Sequence, residues 1–338
     1  MRSLARELPL PRRNSGFDVF YAPEPSAARW LRDESVLAVI RFGARTEARD
    51  PRDISIALPP LGARRIVEVW HSPSPIGLGR EGEIHYATNG EIVFGHLLLE
   101  DDAQMAATAK HAYSQVLNLI QQLEYPHLLR LWNYFPGINL EADGLERYRA
   151  FCVGRFEAFR ARGSGDPDHR LSAASAIGTR GAGFLLYFVA GREPGTPVEN
   201  PRQVCAYHYP NYYAPRSPLF SRATLKRWNG ATHLYISGTA SIVGHRTYHV
   251  GDTLEQLRET TRNLSAVVSA ANELHPLACK SPAQLSHLKI YLRQAEDFAQ
   301  VEAEVDRLFG EAIPKAYLAG DVCRRELLLE IDAFYSEP

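Results

Sequence analysis

The residue in this chain best suited to moving a proton is a carboxylate set in an apolar run. The segment Leu327-Leu328-Leu329-Glu330-Ile331-Asp332-Ala333-Phe334 alternates as a β-strand. Leu327, Leu329, Ile331 and Ala333 share one face, and Leu328, Glu330, Asp332 and Phe334 the other. Two readings stand. Glu330 and Asp332 line the solvated face of an edge strand, or Glu330 is buried among Leu and Phe, costly to ionise, and able to give a proton near neutral pH.

A second concentration of chemistry lies in Tyr207-His208-Tyr209-Pro210-Asn211-Tyr212-Tyr213-Ala214-Pro215-Arg216. Its tyrosines offer phenol donors and ring faces, and Arg216 a guanidinium able to clasp a carboxylate, in a loop stiffened by prolines. The competing reading is an aromatic flap that packs over a core. Arg155 is a second candidate anion clamp, with a solvated helix charge as its alternative. His245 and His249 share a face if extended, but two ligands do not hold a metal and no acid stands at a fixed spacing, so no metal is expected. Gly77-Leu78-Gly79-Arg80-Glu81-Gly82 matches GxGxxG. Prolines precede it and a hairpin turning at Asn89-Gly90 follows, so the strand-to-helix context of a dinucleotide site is missing. Asp166 and Asp168 read as turn chemistry.

These groups need a scaffold. Residues 36–40, 65–70, 128–135, 184–189, 233–238 and 285–292 read as strands, and 103–123, 145–160, 253–272 and 296–309 carry the apolar spacing of amphipathic helices. Helix 103–123 leads to strand 128–135, helix 253–272 leads to strand 285–292, and each pair is followed by another helix. The pattern indicates an internal duplication and an α+β class. The Gly- and Asp-rich stretch 161–169 is the best linker, which predicts domains at 1–162 and 170–338, the second being catalytic. The long loop 193–220 is a candidate site wall.

At 338 residues, two domains are the default. Lys plus Arg number 38 against 39 Asp plus Glu, so no net field favours nucleic acid or an anionic membrane. The strongest apolar run, 184–190, is too short to span a bilayer, and the opening residues show no export signal. Cys152, Cys205, Cys279 and Cys323 form no CxxC pair, which argues against a zinc site or a disulfide framework and predicts a cytoplasmic setting.

Several motifs carry a family resemblance: Trp132-Asn133-Tyr134-Phe135-Pro136-Gly137-Ile138-Asn139, Arg147-Tyr148 through Phe151-Cys152-Val153-Gly154-Arg155, Tyr212-Tyr213-Ala214-Pro215-Arg216, Ser237-Gly238-Thr239-Ala240-Ser241, and Leu329-Glu330-Ile331-Asp332-Ala333. The chain resembles the chorismatases, in which two YjgF/RidA-like halves are fused. That resemblance implies a mixed sheet in each half with helices on one face. It implies a cofactor-independent enzyme that cleaves the enolpyruvyl ether of chorismate to pyruvate and 3-hydroxybenzoate, some members also giving 4-hydroxybenzoate; apart from the resemblance, a monomer is the expectation, with oligomeric state left open by the sequence. It makes Glu330 the proton donor to the enol methylene. Arg155 and Arg216, with Tyr212 and Tyr213, become the carboxylate clamps, and Gly238 and Thr239 join the substrate-binding set. Gly238 and Cys323, the latter seven residues before the acid, match the hydroxybenzoate-forming branch, and Cys323 is its second catalytic candidate; Ala at both places accompanies a dihydroxycyclohexadiene product. Hydrolysis to that diene, imine deamination and non-catalytic binding are the alternatives. Lys315-Ala316 after Pro314 departs from the arginine of the deaminases.

Overall fold

The computed structural model describes residues 17–44, 50–100, 104–162, 171–211 and 213–338. A four-stranded sheet comes first: β1 (Asp18–Pro23), β2 (Val36–Phe42), β3 (Asp53–Ile56) and β4 (Ile66–His71), in spatial order β1-β4-β2-β3. Next come β5 (Gly77–Glu81), β6 (Ile84–Thr88), β7 (Ile92–Leu99), helix α1 (Met105–Gln122), β8 (His127–Pro136), α2 (Arg147–Ala161), β9 (Ala173–Thr179) and β10 (Phe184–Gly191). They form a six-stranded sheet of order β5-β6-β7-β10-β8-β9. The remainder is β11 (Thr196–Val198), β12 (Ala223–Trp228), β13 (Ala231–Thr239), α3 (Thr253–Leu274), β14 (His287–Leu292), α4 (Phe298–Phe309), β15 (Lys315–Ala319) and β16 (Leu329–Glu337), giving a second sheet of order β11-β12-β13-β16-β14-β15.

The two large sheets have one topology. In each, three strands run in sequence, a helix leads to the fourth, a helix leads to a fifth parallel to it, and the last strand returns to the middle, antiparallel to both neighbours. The duplication read from the helix spacing is thus a duplication of the entire sheet. This is the α+β architecture of two fused halves with helices on one face of each mixed sheet. The dividing line differs from the expected one. Strands β9 and β10 pair with β8, so residues 173–191 belong to the first sheet and the two repeats meet near residues 192–195. A Gly-rich stretch marks a turn as readily as a domain boundary; most of the expected linker, with Asp166 and Asp168, lies outside the described residues.

Amphipathic spacing explains the layers. Met105, Ala109, Ala112, Val116, Leu119 and Ile120 of α1 pack with Phe151 and Cys152 of α2 on the outer face of the first sheet. Leu257, Leu264, Val267, Val268 and Ala271 of α3 pack with Val301 and Val305 of α4 on the second. Asp252 caps α3, its carboxylate accepting the Glu255 N–H at 3.0 Å. The inner faces of all three sheets meet in a third core, with Trp70, Phe94, Trp132, Tyr187, Tyr291 and Phe334 at its centre. The GxGxxG match is strand β5, which turns into β6 at Gly82 with φ +57°.

Candidate active site

Strand β16 lies in the interior of its sheet, between β13 and β14, and seven of its nine residues are buried on both faces. The solvated-edge reading of Glu330 and Asp332 is therefore excluded; each is 4% exposed. Glu330 stands opposite Tyr291 of β14. On its other side the pairing with β13 slips between Ile236 and Thr239, a bulge that takes Gly238 out of the ladder. The Gly238 N–H donates instead to Ser175 Oγ of β9, 2.9 Å away. A Cβ at position 238 would overlap the Glu330 carboxyl, so glycine makes the room the acid occupies.

The carboxyl forms part of the wall of a cleft of about 580 Å³ between the repeats. Glu146, Tyr148 and Arg149 line it from the first repeat, and Tyr209, Tyr213, Arg222, Gly238, Cys323, Arg324 and Glu330 from the second. Burial pushes the Glu330 carboxyl up to about 8; the charge of Asp332 adds to this, while Arg130 and Arg222 oppose it. Glu330 thus holds its proton at neutral pH. Burial also pushes the Cys323 thiol up to about 12, with Glu330 adding, so Cys323 presents S–H rather than thiolate to the cleft. The Tyr148 phenol is raised well above its ordinary value by burial.

Arg222 supplies the buried cation. It is 6% exposed; one Nη donates to Val204 O at 2.9 Å and to the Tyr209 hydroxyl at 2.8 Å, and its buried Nε has no partner among the described residues. Arg324 lies over the Tyr213 ring at 4.2 Å and donates to His245 O at 2.9 Å. The segment carrying Cys323 and Arg324 is tied down by Arg293, which donates to Leu327 O, Asp321, Asn139, Val322 O and Arg324 O at 2.7–3.0 Å.

Of the residues singled out in the sequence, the structure brings Glu330, Cys323, Gly238 and Tyr213 together. Tyr212 lies outside the described residues. Thr239 is buried beside the bulge, its hydroxyl donating to Ser237 O at 2.9 Å, and does not line the cleft. Arg155 is 3% exposed on the inner side of α2, its guanidinium 5.0 Å from the Tyr113 ring and away from the cleft. Helical periodicity sets it with Cys152 and Phe151 against α1. Arg216 is exposed, stacked at 4.6 Å on Phe156, and also outside the lining. Sequence reasoning missed Arg222, although it is the lone charge between Phe220 and the apolar start of β12. Tyr213 donates to or accepts from His245 Nδ1 at 3.1 Å, whereas His249 is near Glu259 at 3.7 Å, so the two histidines serve different partners.

An acid kept protonated in a cleft with guanidinium groups, between two copies of one α+β frame, describes a class of catalyst for small anionic substrates. The chorismatase FkbO/Hyg5-like N-terminal family model matches residues 68–190, which covers the first repeat up to, but not including, its last strand residue, Gly191. A chorismatase of Streptomyces rapamycinicus is 39% identical over 271 residues, 78% of this chain and 80% of the relative. A 3-hydroxybenzoate synthase of Streptomyces hygroscopicus is 36% identical over 279 residues, 80% of this chain and 81% of the relative. A chorismatase crystal structure superposes with a TM-score of 0.85 at 31% identity, covering 96% of this chain and all of the other. This chain belongs to the chorismatase family. No described helix is long and apolar enough to cross a membrane.

Proposed function

We propose that this enzyme cleaves the enolpyruvyl ether of chorismate to pyruvate and 3-hydroxybenzoate, with Glu330 as the proton donor. The observation that carries the reading is the buried Glu330 carboxyl, raised to about 8, in the wall of a cleft flanked by guanidinium groups. Protonating the terminal methylene of an enol ether makes an oxocarbenium ion and leaves Glu330 as the carboxylate that faces it. Addition of water at that carbon gives a hemiketal, whose collapse releases pyruvate and leaves the ether oxygen on the ring as a hydroxyl. Chorismate and the pair pyruvate plus hydroxybenzoate have the same atoms, because the water added in cleavage is matched by the water lost when the other ring hydroxyl leaves with a ring hydrogen. The diene route consumes one net water.

Arg222 and Arg324 take over the clamp role expected of Arg155 and Arg216. Both reach the cleft, and Arg222 has an unpartnered buried Nε to offer a carboxylate. Cys323 acts as a neutral thiol beside Glu330 that shapes where the ring rests, and Gly238 sets the acid's position. Incubating the purified protein with chorismate and separating the products by chromatography tests the reading. Pyruvate with 3-hydroxybenzoate supports it; pyruvate with a diene corrects the ring chemistry, and full turnover by Glu330→Gln removes the acid.

A further inference from the structure

Asp332 is two residues from Glu330 on the same strand face, and every described hydrogen bond to its carboxylate is one it accepts. Trp132 Nε1 and the Tyr291 hydroxyl donate to Oδ2, each at 3.0 Å. The Ser175 hydroxyl donates to Oδ1, and the Arg130 guanidinium is paired with Oδ1 at 3.0 Å. Arg130 also donates to Ser175 Oγ at 2.6 Å, as does the Gly238 N–H at 2.9 Å. This web crosses the junction of the repeats: Arg130, Trp132 and Ser175 belong to the first sheet, Tyr291, Asp332 and Gly238 to the second. Arg130 and Asp332 are nearly sealed from solvent, so little water screens their charges.

We propose that Asp332, held by Arg130, Ser175, Trp132 and Tyr291, is the positioning residue that keeps the Glu330 carboxyl proton-bearing and ready to donate. The inference rests on Glu330 as the proton donor. The charge of Asp332 opposes ionisation of Glu330, and Arg130, paired to Asp332, favours it. The other groups facing Glu330 are Arg222 beside β12, Tyr148 on α2, Cys323 on the segment before β16 and Tyr291 on β14. Glu146, Arg149, Arg324 and Glu326 line the same cleft, and of the charged groups that act on the Glu330 carboxyl Asp332 is the one that opposes its ionisation. The first repeat thus acts on a proton donor that belongs to the second.

Two variants and one spectrum test this. Asp332→Asn removes the opposing charge and leaves Arg130 unpaired, so the alkaline limb of the kcat/KM profile moves toward acid by at least one pH unit, about a tenfold loss above the limb that is recovered at lower pH. Arg130→Gln moves the limb the other way. A protonated-carboxyl infrared band at pH 7, present in the parent and missing in Glu330→Gln, must fall to about half or less in Asp332→Asn. A folded Asp332→Asn protein with an unmoved limb, or with a loss that is uniform in pH, overturns the proposal; so does a parent without the band. The band is read without turnover, so an active Glu330→Gln protein refutes the donor assignment without deciding the role of Asp332.

Discussion

Glu330 sets proton transfer against stability. Its carboxyl ordinarily titrates near 4.5 and is raised to about 8 in the fold. Below 4.5 both folded and unfolded chains hold the proton; between 4.5 and 8 only the folded chain does, so stability declines as pH rises through that window. Glu330→Gln removes this dependence. We expect the variant to exceed its parent at pH 9 by on the order of 2 kcal/mol in urea unfolding, while pyruvate release from chorismate falls about 10²–10⁴-fold. A variant no more stable than the parent at pH 9 would mean that the carboxyl ionises freely in the cleft. The acid side has a different limit. His233 and His287 are buried and lowered to about 3 and 4, so stability is lost as pH falls below about 6.5. Arg222→Ala is expected to raise KM for chorismate about 10–100-fold, the cost of losing a charge-assisted hydrogen bond; an unchanged KM would place the carboxylate elsewhere. Gly238→Ala with Cys323→Ala should turn the acid, open the ring's resting place and shift the product toward the diene, as chromatography would show.

The acid's strand was legible from alternation, because a period of two survives whatever the sheet order. Its burial was not, because edge or centre depends on which distant strands pair with it. The arginines failed for a related reason. Arg155 and Arg216 lie near conspicuous aromatic motifs, but only the register of α2 and the path of the loop decide whether a side chain reaches the cleft. Arg293 shows the same lesson for a segment with no regular structure: one guanidinium makes four hydrogen bonds to residues 321–328 and a fifth to Asn139 of the first repeat. Arg293→Ala should free that stretch, lower kcat through Cys323 and Arg324, and speed proteolysis within it. Unaltered cleavage kinetics would show that backbone pairing alone holds it.

Helix spacing revealed the duplication, since long periodic helices are the most local signal, but the Gly- and Asp-rich stretch 161–169 put the boundary a pair of strands ahead of where the two sheets divide. Strands β9 and β10 return to a sheet begun at Gly77, far back in the chain, and no local pattern records that. The two copies agree down to register: Leu185 stands opposite Tyr134 as Glu330 stands opposite Tyr291, and Tyr187 opposite Trp132 as Asp332 opposite Lys289. The two copies share strand order and register, yet leucine and tyrosine fill the places that hold the two carboxylates in the other copy. Calorimetric titration of Glu330→Gln with chorismate should accordingly saturate at one ligand per chain. Broken symmetry is the consequence. One copy can exchange its Leu185 for another apolar side chain at the cost of packing alone, whereas the copy with Glu330 accepts no such exchange, so the two halves of one frame answer to different constraints.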